Sequence, residues 1–75
     1  MNNKVETYTF NKSSTILRAD FDNLVDVMTV YFKNGSIYQF VAVPKNTFEE
    51  FTKSESAGKF FSSNVKNKFE HLKRS

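Results

Sequence analysis

Few side chains in this 75-residue chain could do covalent or metal chemistry, and most of them stand alone. His71 is the one histidine, and there is no cysteine to act as a nucleophile or thiolate ligand. The acidic pairs Asp20/Asp22 and Glu49/Glu50 have the right type for general acid–base work or an oxygen-ligand metal site. One pair falls in a turn and the other at a helix start, where solvated charge and capping are commoner uses. Ser13-Ser14 and Ser62-Ser63 have no base within reach and read as turn and cap residues. The two glycines lie too far apart to cradle a phosphate. The expectation is a protein with no catalytic residue, no cofactor and no metal site.

The basic residues carry a stronger signal. Lys59, Lys66, Lys68, Lys73 and Arg74 crowd the C-terminal region, with Glu70 the only acid among them. Lys59 and Lys66 are a heptad apart and share a face if one helix carries both. With Arg18 and with Lys33 at a hairpin tip they would form a patch for nucleic-acid phosphates. Tyr8 and Tyr31 have the ring type that stacks bases, although cross-strand packing is the commoner use. The net charge of +3 is a mild excess, so the competing reading is a solubilising surface and a charged tail.

The elements that must position these residues follow from periodicity. Val5 to Phe10 has the β propensity of an edge strand. Asn11-Lys12-Ser13-Ser14 breaks it, and Thr15 to Phe21 reads as a second strand. After the Asp22-Asn23 turn, Val25–Phe32 and Ile37–Phe40 form a hairpin around Lys33-Asn34-Gly35-Ser36. A two-residue loop would mix polar and apolar residues on both faces. A three-residue loop with Gly35 left-handed places Val30 opposite Tyr38 and Met28 opposite Phe40. Burial therefore favours the second register.

Beyond Val41-Ala42-Val43 the period changes. Pro44 suits a first helical turn, and Asn46/Glu49 or Thr47/Glu50 offers a capping box. Phe48 and Phe51 share one helix face. Ser56 is placed to cap a second helix running to about Lys66. Gly58 in its first turn costs ~1 kcal/mol against alanine, and a close helix–sheet approach would account for it. Phe69 and Leu72 follow as a short apolar pair. The fold class is α+β: a small antiparallel sheet of 3–4 strands in a meander, then two short helices packed on one face. A single domain spans 1–75, with 1–4 and 70–75 expected to be flexible. A chain this short buries only ~60% of its unfolded surface, so its stability is a few kcal/mol. With no disulfide available, its 9 Phe and 3 Tyr must supply most of the core.

Several of these residues, in order, resemble the KTSC domain: Ser13-Ser14, Ile16, Phe32-Lys33-Asn34-Gly35, Tyr38-Gln39-Phe40, Val43-Pro44, Ser56-Ala57-Gly58-Lys59-Phe60-Phe61, Asn64-Val65-Lys66 and Phe69. The resemblance covers about 13–69. The family is a stand-alone bacterial or phage module and also a C-terminal appendage of some lysyl-tRNA synthetases. Its aromatic-x-aromatic signature usually has tyrosine at both ends, whereas the second position here is Phe40. The resemblance implies a domain without an assigned activity, with RNA binding suggested by the synthetase context.

Two functions are therefore carried forward. One is a small non-enzymatic module that binds RNA or other nucleic acid through Arg18, Lys33, Lys59, Lys66 and Lys68. The other is a protein-interaction or phage accessory module that contacts a host or phage protein through an apolar patch or sheet edge. Met1-Asn2-Asn3-Lys4 leads into no apolar run, and no stretch of ~20 apolar residues exists. A cytoplasmic protein with no membrane partner is the expectation.

Overall fold

A computed structural model of the chain describes residues 5–75; the flexibility expected of 1–4 lies outside the described residues. Four strands come first: β1 (Val5–Thr9), β2 (Ile16–Asp22), β3 (Val27–Phe32) and β4 (Ile37–Phe40). Two helices follow, α1 (Lys45–Lys53) and α2 (Ala57–Asn64), and then a last strand, β5 (His71–Lys73). The sheet is antiparallel with order β1-β2-β3-β4-β5.

The central hairpin has the register that burial favours. Val30 faces Tyr38, and Met28 faces Phe40. Gly35 sits at φ 97°, a conformation that glycine adopts at no steric cost. It closes the turn by donating its N–H to Phe32 O at 3.0 Å. The register of β2 against β3 shifts between Ile16 and Arg18. This bulge leaves Leu17 exposed while Ile16 and Ala19 are both buried.

Alternation then fills one face of the sheet. Ile16, Ala19, Phe21, Met28, Val30 and Phe40 are buried beneath the helices. Phe48 and Phe51 come down from α1, and Ala57 and Phe61 from α2. Rings dominate the contact. Phe21 stacks on Phe48 with centroids 5.2 Å apart, while Phe51 meets Phe10 at 4.7 Å and Phe60 at 5.5 Å. Each such ring buried is worth roughly 1.5–3 kcal/mol. The helices thus cover the aromatic face of the ribbon, as the pattern of the sequence requires.

Five expectations need correction. The sheet has five strands, not 3–4, because the C-terminal segment joins it as β5. Its backbone supplies the reason: Val41 N–H donates to Glu70 O, Arg74 N–H to Ile37 O, and Ile37 N–H to Ser75 O. Segment 70–75, expected to be flexible, thus satisfies the open edge of β4. No capping box forms on α1. Pro44 is its N-cap, without a side-chain hydrogen bond, so the helix begins before Asn46 or Thr47 could cap it. Helix α2 starts as expected, with Ser56 Oγ accepting from Lys59 N–H at 3.4 Å. It stops at Asn64, however, and Lys66 lies in the following turn. Finally, a Cβ added at Gly58 would meet nothing within 4 Å, so no close helix–sheet approach explains that glycine.

The crossover from sheet to helices has its own geometry. Asp26 and Ala42 both adopt φ 57°. Val43 N–H donates to Asp26 O at 2.9 Å, which pins the crossover to the β2–β3 turn.

Candidate nucleic-acid interface

A concavity of about 1200 Å³ runs between the β1–β2 loop and the N-terminal half of α2. Its floor is aromatic, formed in part by Phe10, Phe32 and Phe61. Its rim is cationic. Lys12 arrives from the β1–β2 loop, Lys53 from the end of α1, Lys59 from α2 and Lys66 from the turn beyond it. Glu55 is the only acidic residue in the lining.

Local structure explains this convergence. Ser13 Oγ accepts from the N–H groups of Thr15 and Ile16 at 3.2 and 2.9 Å. The loop that carries Lys12 is thereby fixed in a tight turn. Lys66 is held by its own N–H, which donates to Phe61 O at 2.9 Å. The first turn of α2, with Ser56, Ala57 and Gly58, also opens into the groove. That turn contains no acidic side chain, although Glu55 lies next to its Ser56 N-cap and lines the same groove. All four lysines are exposed, and among the described residues none has an ion-pair partner.

The residues expected to contact phosphate separate on the fold. Lys59 and Lys66 do share the groove, although the second is not on the helix that was to align them. Lys33 sits beside the rim, with its N–H donating to Thr15 O at 2.9 Å, but it does not line the groove. Neither does Lys68.

Arg18 lies on the opposite face of the sheet. Its guanidinium covers the Tyr31 ring at 4.2 Å and approaches Asp20 at 3.8 Å. The Tyr31 hydroxyl and then the Asp20 carboxylate raise its pKa further above the ordinary value. Arg18 Nε is shut off from solvent without an acceptor among the described residues. Arg18 is therefore committed to the sheet, and Tyr31 is occupied by it. Tyr8, by contrast, is exposed at the groove edge.

Sequence reasoning missed Lys12 and Lys53. Each stands alone in its segment, and only the tertiary fold joins them to the others.

Among the described residues, no three His, Asp or Glu side chains gather as a metal site. No helix among them is long and apolar enough to cross a membrane. His71 packs its ring against Tyr38 and Phe40, at 5.6 and 5.2 Å, and is not part of a frayed end.

A five-stranded antiparallel sheet with two helices on one face, in so short a chain, defines a small α+β module. The KTSC domain model matches residues 12–69, and the chain belongs to that family. It is similar to a protein of Tsukamurella paurometabola, with 31% identity over 58 residues. That match covers 77% of this chain and 87% of the relative. It is also similar to the crystal structure of a KTSC domain protein from Yersinia pestis, with a TM-score of 0.84 and 28% identity. The likeness covers 95% of this chain and 99% of that one.

Proposed function

We propose that this KTSC domain is a non-enzymatic module that binds single-stranded RNA, with the phosphate backbone in the lysine groove. The observation that carries the reading is the convergence of Lys12, Lys53, Lys59 and Lys66 around one concavity with a single acid in its lining. Among the described residues these four cations have no ion-pair partner to give up, so phosphate neutralisation there costs no ion pair. Groove hydroxyls and the first turn of α2 add neutral donors, of the kind that position a backbone without reading sequence. The reading places the protein in the cytoplasm, where RNA is met.

The test is a filter-binding titration across salt. Each phosphate neutralised on a single strand contributes about −0.7 to the slope of log K against log salt, so four lysines predict a slope of about −3. Lys59→Ala with Lys66→Ala should roughly halve it. No binding to either single-stranded or structured RNA at low salt would remove the reading.

A second reading has one specific observation behind it. Leu24 and Val25 stand 73% and 61% exposed on the β2–β3 turn, and an apolar tip of this kind suits contact with a host or phage protein. A pull-down from nuclease-treated lysate that retains a partner with the native tip, and loses it with Leu24→Ser, would favour it.

A further inference from the structure

A smaller cavity of about 320 Å³ adjoins the lysine groove. The two share Phe32, Phe61 and Lys66. Its walls are rings. Tyr38 meets Phe32 edge-on at 5.8 Å, and His71 of β5 closes the far side against Tyr38 and Phe40. Apart from Lys66, its polar side chains include the uncharged Asn34, Ser36 and Asn67. Asn67 and Ser36 have side chains without a hydrogen-bond partner among the described residues. Asn34 Oδ1 accepts from Ser36 N–H at 2.9 Å, which leaves the Asn34 amide N–H groups open.

We propose that this cavity receives one nucleobase of the bound strand, with Lys66 holding a phosphate at the junction of the two spaces. The inference rests on the groove reading and adds a base subsite to it. The volume lies at the low end of small-molecule cavities, roughly 300–1,000 Å³, which suits a single planar heterocycle. Aromatic walls offer π surface to a base of any identity. Two carboxamides and a hydroxyl supply neutral donors and acceptors for a base edge, the usual currency of recognition on splayed single strands. A phosphate alone would find no cation in this cavity except Lys66.

Fluorescence anisotropy at low salt separates the inference from the reading beneath it. The probes are a labelled single-stranded RNA and an abasic phosphodiester strand of equal length. The RNA should bind on the order of tenfold tighter. Tyr38→Ala and Asn67→Ala should bring the RNA down to the abasic level while leaving the abasic strand unchanged. Asn67 is exposed, so its variant keeps the fold if Tyr38→Ala does not. Equal binding of both strands, or insensitivity of the RNA to Asn67→Ala, would overturn the base subsite and leave the lysine groove standing. If neither strand binds, the groove reading fails and an NMR titration with AMP decides the pocket. Shifts confined to the Asn34 and Asn67 amides and to His71 would uphold it, and none at millimolar AMP would overturn it.

Discussion

The two faces of this small protein treat positive charge in opposite ways. On the face of the sheet that carries no helix, Arg18 lies over Tyr31 and leans on Asp20, which in turn accepts a hydrogen bond from Thr7 at 2.8 Å. That cation belongs to the fold. On the other side, four lysines ring a groove and pair with nothing among the described residues. Those cations are free for a ligand. Both kinds look alike in the sequence. What separates them is whether a neighbouring strand offers a carboxylate or a ring at the facing position.

The harshest way to probe this contrast removes the layer on which both faces depend. Phe51 is fully buried and touches Phe10, Phe60 and Phe61. Phe51→Ala should cost about 3–5 kcal/mol, comparable to the whole stability of so small a domain. Circular dichroism should then show an unfolded chain with neither face intact.

A finer test sets Arg18→Ala against Lys59→Ala. The first should lower stability by about 1 kcal/mol, from a cation–π contact and a surface ion pair, with RNA affinity unchanged. The second should weaken RNA binding and leave the melting temperature in place. If Arg18→Ala weakened RNA binding and Lys59→Ala did not, the assignment of the two faces would be reversed.

Gly58 sharpens the groove side further. With open space around its Cβ position, Gly58→Ala should raise stability by about 0.5–1 kcal/mol in thermal melts. A loss of RNA affinity in the same variant would show that the ligand approaches the bare backbone of α2.

The smallest effect concerns Glu6. The hydrogen bond from Lys45, and then that from Asn23, hold its carboxyl below the ordinary value of 4.5. A lowered folded value gives stability that is present above pH 4.5 and lost as pH falls through the folded value. Glu6→Gln should therefore lower the melting temperature slightly at neutral pH, and its profile should converge with that of the native chain as the pH falls below the folded value, leaving a flatter acid limb.

How far the sequence foretold all this varies by element. The central hairpin was legible because two local signals agree there. Gly35 fixes the loop length, and alternation from Met28 to Phe40 fixes the face. The start of α2 was legible for the same reason, since Ser56 and its cap lie within one turn. Strand β5 was not. His71-Leu72-Lys73 has a single apolar residue, and what recruits it is the unpaired backbone of β4, a property of the assembled sheet. The groove falls between these cases. Lys59 and Lys66 were found through a helical spacing that the chain does not keep, and they meet because the turn after α2 folds back by way of Lys66 N–H to Phe61 O. Lys12 and Lys53 are far apart in the chain and carry no local mark of their meeting.

The paired left-handed residues at the crossover have a kinetic consequence. An alanine at φ 57° costs of order 1–3 kcal/mol relative to a relaxed backbone, and the hydrogen bond from Val43 to Asp26 is the latch that holds it. When that latch lets go, Ala42 can unwind toward extended geometry, and the helices are then tethered by a loosened strap. Deuterium should therefore enter the Val43 amide each time this latch opens. That one proton makes a clock for the release of the crossover.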